Sequence, residues 1–180
     1  PSLLKAYRDR TDGSVRVETY QAFTNYLTQS LHNETLDVAF CGRREHEPDI
    51  AYFPVLSRSL ELAVRADHEL ASRTSISLEE LHGARIVTYR RGTPIGDEVH
   101  RLLDRSSLKG VEALYDDDIT MASALSVDGG LGALMLNSIG LKVFSGIVTV
   151  PLEGVRPDFY WVHLAYSEKR AKTAAVQSFI

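Results

Sequence analysis

The sequence predicts an α/β fold in two lobes, each a mostly parallel sheet flanked by helices. Three observations predict it. Segments with helical spacing alternate with segments of strand spacing along the 180 residues. Several strands read as short, nearly continuous apolar runs, the pattern of strands covered on both faces. Two extended stretches, near residues 57–60 and 145–148, are placed to carry the chain from one lobe to the other and back.

In chain order, Leu3, Leu4 and Tyr7 share a helical face, and Asp12-Gly13 stops that helix with a residue free to adopt positive φ. Val15, Val17 and Thr19 alternate with Arg16, Glu18 and Tyr20, as in a strand. Phe23, Tyr26, Leu27 and Leu31 return to helical spacing, which ends at His32-Asn33. Leu36 to Cys41 is an apolar run broken only by Asp37. Helix, strand, helix, strand implies a parallel sheet. Tyr52 to Leu56 and Leu60 to Arg65 are extended runs separated by Ser57-Arg58-Ser59.

Ser77-Leu78-Glu79-Glu80 fits a capping box, with Ile76 and Leu81 as a hydrophobic staple. Arg85 to Tyr89 is a strand, and Pro94 to Ser106 a helix with Thr93 as its cap and proline in its first turn. Val111 to Tyr115 is a strand, Thr120 to Val127 a short helix, and Leu131 to Leu136 a glycine-flanked buried strand. Strands at Ile147 to Leu152 and Asp158 to Tyr166 and a final helix capped by Ser167 complete the reading.

Composition narrows the function. With 44% apolar residues the chain can build one sizeable core or two smaller ones. A net charge of −4, with no basic cluster beyond the pairs Arg43-Arg44 and Arg90-Arg91, argues against a duplex-gripping surface. A single cysteine, Cys41, permits no internal disulfide, which suits a reducing cytoplasm. No apolar run approaches the roughly 18 to 20 residues of a membrane span.

Five stretches in order carry a family resemblance: Leu36-Asp37-Val38-Ala39-Phe40; Leu60 to Val64 followed by Asp67-His68-Glu69-Leu70-Ala71; Ser77-Leu78-Glu79-Glu80-Leu81; Val127-Asp128-Gly129-Gly130-Leu131-Gly132; and Val150-Pro151-Leu152. Their order and spacing resemble the effector-binding domain of LysR-type transcription regulators. The resemblance implies the two-lobed type 2 periplasmic-binding-protein fold, with residues 1–57 and 147–180 in lobe one and 58–146 in lobe two. It implies a cytoplasmic regulator, without catalytic residues, cofactor or metal, that binds a small effector between its lobes. It also implies self-association as a dimer or tetramer, and DNA contact only through an amino-terminal winged helix-turn-helix absent from this sequence. The first strand of lobe one is expected just before Pro1, so the sequence reads as part of something longer. Glu69 stands where the family usually has proline, and Asn33 at a turn that often carries glycine and that asparagine tolerates. The rival reading is a solute-binding receptor, or an enzyme, on the same scaffold.

In such sheets ligands sit beyond the carboxyl ends of strands, near helix N-termini. Three loops meet that condition: Cys41-Gly42-Arg43, Gly92-Thr93-Pro94-Ile95-Gly96 and Asp118-Ile119-Thr120. The candidate effector contacts are Cys41, Gly42, Arg43, Arg91, Thr93, Pro94, Ile95, Gly96 and Thr120, and the inferred ligand is a small carboxylate or amino acid. For Thr93 and Thr120, helix capping competes with ligand contact. Arg43 and Arg91 read either as forked carboxylate donors or as plain surface arginines. Cys41 reads as packing more readily than as an oxidant sensor. Asp116-Asp117-Asp118 reads as a solvated turn feeding negative charge to a helix N-terminus rather than as a metal site, and His32, His46, His68 and His163 lack ligand-like spacing. No Gly-x-Ser-x-Gly elbow or phosphate loop appears, and Gly130-Leu131-Gly132 does not open a helix. For self-association, related domains pair side by side, which nominates Leu3, Leu4, Tyr7, Val15 and Val17.

Overall fold

A computed structural model describes residues 2–106, 108 and 110–180. In chain order the elements are α1 (Ser2–Arg10), α2 (Thr24–His32), β1 (Ala39–Gly42), β2 (Ile50–Arg58), β3 (Leu60–Arg65), β4 (Arg85–Tyr89), α3 (Pro94–Asp104), β5 (Val111–Tyr115), α4 (Asp118–Val127), β6 (Leu131–Leu136), β7 (Ile147–Pro151), β8 (Tyr160–Ser167) and α5 (Ala174–Phe179). Short 3-10 turns lie at Glu69–Ser72, Glu79–Leu81 and Ile139–Val143. The chain divides into two units, Pro1–Phe53 with His163–Ile180, and Pro54–Val162, so the divisions fall inside β2 and β8.

The second unit is built on a five-stranded sheet in the order β5-β4-β6-β3-β7. β4 runs parallel to β5 and β6, whereas β3 runs antiparallel to β6 and β7. Four strands therefore share one direction and β3 opposes them. The run Leu131–Leu136 is buried at every position, and β3 along Leu60–Val64, as continuous apolar strands demand when both faces are covered. α3 adds Val99 and Leu103 to this core, and α4 adds Met121, Ala122 and Leu125. The capping box forms on the turn Glu79–Leu81. The Ser77 amide donates to Glu80 (2.9 Å) and the Glu80 amide to the Ser77 hydroxyl (3.3 Å), with Ile76 and Leu81 buried.

The first unit holds a three-stranded sheet in the order β1-β8-β2. Its core is Leu27 and Leu31 from α2 with Ala39, Cys41, Ile50 and Ala165. Tyr7 fixes α1 to α5: its hydroxyl donates to the Ala175 carbonyl (2.8 Å), and its ring meets Phe179 edge-on at 4.9 Å.

Several expectations need correction. Val15–Tyr20 joins no sheet. Val15 and Val17 are half-buried and Arg16 and Glu18 exposed, so the alternation is present, but among the described residues no strand pairs with it. The strand expected from Leu36 starts at Ala39, because Arg170 holds the preceding turn through Asp37 (2.9 Å) and the Leu36 carbonyl (3.3 Å). The left-handed residue after α2 is Glu34 (φ 58°), while Asn33 keeps φ −80°. The return crossing expected near residues 145–148 is instead β7, which pairs with β3 inside the second unit; the chain goes back along β8. Residues 147–162 thus belong with the second unit rather than with lobe one. Ser167 ends β8, and the cap of α5 is Thr173, whose hydroxyl accepts from the Val176 amide (3.3 Å).

Candidate functional site

The parallel strands β4, β5 and β6 end along one edge of the second sheet, at Tyr89, Tyr115 and Leu136. β3, running the other way, starts there, with Leu60 opposite Leu136. β7 shares the direction of β4, β5 and β6 and also ends there, with Pro151 opposite Glu61, so five connections converge on this edge.

After β4 the chain turns through Gly92 at φ 86°, a left-handed conformation that suits glycine. Thr93 caps α3 by accepting from the Gly96 amide (3.1 Å), and its hydroxyl donates to the Arg90 carbonyl (3.3 Å). Asp97 reaches back to accept from the Gly92 amide (2.8 Å). Pro94 occupies the first turn, where its missing N–H costs nothing. Gly96 has a steric reason of its own: a Cβ there would lie 1.8 Å from the Arg90 carbonyl oxygen. Arg91 is exposed and already bound to Asp104 (2.8 Å).

The next loop belongs to α4, which starts at Asp118, two residues before the expected Thr120. Asp117 is its cap and accepts from both the Thr120 amide (2.8 Å) and the Thr120 hydroxyl (2.9 Å). Arg90 ties the two loops together, its amide donating to the Tyr115 carbonyl (2.8 Å) and its guanidinium to Asp116 (2.9 Å).

The Asp116-Asp117-Asp118 run does feed negative charge to the N-terminus of α4, with Asp117 as its cap and Asp118 in its first turn, but of the three only Asp116 is exposed, and each has its own partner. Asp118 accepts the Tyr89 hydroxyl, and the Leu136 amide donates to that same hydroxyl (2.9 Å). Burial raises the Asp118 carboxyl above the ordinary range, helped by the neighbouring Asp117 charge and opposed by hydrogen bonds from Tyr89 and Ser138. Burial likewise holds the Tyr89 phenol well above its usual value, and the Asp118 charge adds to it.

Beside this network lies a polar pocket of about 380 Å³ lined by Ser57, Arg58, Ser59, Asn137, Ser138, Lys142 and Pro157. Buried Glu61 adjoins it, accepting from Ser59 (2.5 Å) and from Asn137 (3.0 Å to each carboxylate oxygen). Burial works against its charge, yet hydrogen bonds from Ser59, Thr149 and Asn137 outweigh that and hold the carboxyl below its usual range. Sequence reasoning missed this pocket, taking Ser57-Arg58-Ser59 for a separator. The available signal was a glutamate inside the otherwise apolar run Leu60–Val64, because such a group needs donors nearby.

In the first unit, Cys41 and Gly42 are buried at the end of β1 and Arg43 is exposed. Desolvation pushes the Cys41 thiol up to about 11, which keeps it protonated and favours packing over oxidant sensing. Next to them Arg44 donates to Thr28 (3.0 Å) and Glu47 (2.7 Å), and Glu47 also meets the His32 ring (2.5 Å). Of the residues nominated for self-association, Leu3 is half exposed, Leu4, Val15 and Val17 are partly buried, and Tyr7 is buried against α5. Among the described residues no cluster of three His, Cys, Asp or Glu side chains is arranged for a metal ion, and no helix is long and apolar enough to cross a membrane.

The architecture is that of solved effector-binding domains of transcription regulators. The effector-binding domain of QuiR in complex with shikimate superposes with a TM-score of 0.88 at 21% identity, covering 99% of this chain and 85% of that one. The sequence matches the LysR substrate binding domain over residues 1–180, and the chain belongs to that family. Two transcription regulators are also similar in sequence over part of their length. The uncharacterized HTH-type transcriptional regulator YybE of Bacillus subtilis (strain 168) is 25% identical over 136 residues, 76% of this chain and 46% of the relative. The HTH-type transcriptional regulator cbl of Klebsiella aerogenes is 28% identical over 109 residues, 60% of this chain and 34% of the relative. The chain thus spans less than half the length of either regulator.

Proposed function

We propose that the chain is the effector-sensing part of a LysR-type transcription regulator working in the cytoplasm, and that its effector is a small anion, a carboxylate or an amino acid. The observation that carries this reading is the family match along residues 1–180. The similar QuiR domain binds shikimate, itself a carboxylate, which supports the ligand class.

In this reading the candidate contacts of each unit lie at the carboxyl ends of its strands: in the first unit Cys41 and Gly42 at the end of β1 and Arg43 after it, and in the second unit Arg91 to Gly96 after β4 and Thr120 after β5. The α3 and α4 N-termini favour negative charge, and their caps hold the first turns in shape. An exposed Arg43 can present a planar fork to a carboxylate. Arg91 is a weaker contact, since a ligand has to compete with Asp104 for it. Regulation follows if the effector favours one conformation over another, because only differential affinity moves such an equilibrium. Self-association through α1 and the Val15–Val17 segment would pass the change to a DNA-binding part elsewhere in the regulator.

A thermal-shift screen of small organic acids and amino acids tests the reading. A true effector raises the melting temperature in a saturable way. Substituting Thr93 and Thr120 by alanine weakens that hit. A screen without any stabilising acid, or a hit of unchanged affinity in both variants, removes the reading of the ligand or of its loops respectively. Light scattering tests the association, and a strict monomer at high concentration counts against it.

A further inference from the structure

We infer that the polar pocket where β2, β3 and β6 meet is a binding subsite for a small oxyanion, a carboxylate or phosphate group, held by Arg58 and Lys142. The charges at this end of the unit are unevenly satisfied. Arg90 and Arg91 are each paired, with Asp116 and Asp104. Arg58 and Lys142 line one concavity, and among the described residues neither forms an ion pair. Arg58 spends one donor on the Ser57 carbonyl (3.1 Å), which leaves most of its five N–H groups for another acceptor. Two like charges on one small concave surface repel, and an anion between them turns that repulsion into attraction.

Glu61 sharpens the assignment. Its carboxylate is already supplied by Ser59, Asn137 and Thr149, and Ser138 is engaged by Asp118, which leaves Ser57 and the two cations as the principal lining donors for a ligand. The volume of about 380 Å³ sits at the small end of ligand pockets, roughly 300 to 1,000 Å³, which suits a compact metabolite. Guanidinium and ammonium groups together recognise the planar or tetrahedral oxygens of a carboxylate or phosphate. This subsite lies on the β6–β3 side of the edge, whereas Thr93 and Thr120 lie on the β4–β5 side. It stands on the pocket alone and does not require the regulatory reading.

The test is calorimetric titration of the 180-residue chain at low salt with two probes, succinate and inorganic phosphate. The expected result is saturable binding of at least one probe, and the tighter one names the head group. In the variant Arg58→Gln/Lys142→Gln the affinity falls at least fivefold, whereas Arg58→Lys/Lys142→Arg, which keeps both charges, stays within fivefold of the parent. With inorganic phosphate, which lies outside the organic acids and amino acids assigned to the Thr93 and Thr120 loops, the Thr93→Ala/Thr120→Ala variant stays within fivefold of the parent, and a larger loss overturns the subsite as a separate one. The inference is overturned by no saturable binding of either probe, or by a loss under fivefold in the glutamine variant. Equal loss in the charge-keeping variant overturns it as well, since the defect is then not one of charge.

Discussion

In the second unit a five-stranded sheet with strands buried along both faces supports α3 and α4; in the first, a three-stranded sheet gathers only Leu27, Leu31, Ala39, Cys41, Ile50 and Ala165 into its core. Both units expose large apolar side chains, mostly aliphatic in the second, with Val127 and Val143 the most exposed, and mostly aromatic in the first. Tyr20, Phe23, Tyr26 and Phe40 are exposed in the first unit, and among the described residues its Val15–Tyr20 segment joins no ladder. Local stability follows buried apolar contact and protected backbone hydrogen bonds. The second unit is therefore the rigid frame for its loops, and the first opens more readily. The contrast also separates two kinds of pattern: continuous apolar strands that find partners within their own unit, and an alternating segment that does not.

The sharpest way to break that contrast is a pair of core truncations. Leu134→Ala, at the centre of β6, removes a fully buried side chain from the larger core and costs about 2–5 kcal/mol. Leu31→Ala removes one from the smaller core, where neighbours collapse more easily, and falls at the low end of that range. Urea denaturation measures both. Equal costs, or amides in β6 that exchange faster than those in β1, would show that the two cores are alike.

Gly96→Ala comes next. Because the new Cβ meets the Arg90 carbonyl, the first turn of α3 has to move, at about 1–3 kcal/mol as in other overpacked sites. The same shift disturbs the Thr93 cap, so any effector that uses this loop loses affinity too. A melting temperature and ligand affinity both equal to the parent's would mean that the close approach does not constrain the loop.

Much of the second unit was legible because its elements state themselves locally. Arg85–Tyr89, Val111–Tyr115 and Leu131–Leu136 are bounded by turn residues and match the observed strands residue for residue. The caps were partly legible. Thr93 before proline is a recognisable signal, but at Asp116-Asp117-Asp118 three identical residues hide three roles, and only the partners Arg90, Thr120 and Tyr89 separate them. The return crossing was misplaced because residues 147–151 pair with β3, a contact some 85 residues distant in sequence that no local pattern announces. The polar pocket was invisible for a similar reason, its walls coming from residues 57–59, 137–142 and 157. Which residues the effector touches was legible only through the family resemblance and rests with the titrations.

The smallest expected effects contrast the two ends of the second sheet, which carry opposite electrostatics. At the amino end of β4, Arg85 binds Glu112 (2.6 Å) and Asp128 (2.8 Å), and its hydrogen bonds hold the Glu112 carboxyl below its usual range; the Gly130 amide and then Arg85 do the same for Asp128. Lowered carboxyl values contribute stability that is present above the unfolded range, about pH 4 to 4.5, and lost as pH falls. Arg85→Met therefore melts a little below the parent at pH 7, and the gap narrows as pH falls below the unfolded carboxyl range; the pair is exposed, so salt shrinks the gap as well. At the carboxyl end the sign reverses. Asp118 is raised mainly by burial, so its contribution is full below about pH 4 and declines as pH rises through its folded value. Asp118→Asn, which removes that titration, gains on the parent as pH rises from about 3 to 7. Melting curves across that range check both slopes, and slopes of the same sign for the two variants would show that the ends of the sheet are not electrostatically distinct.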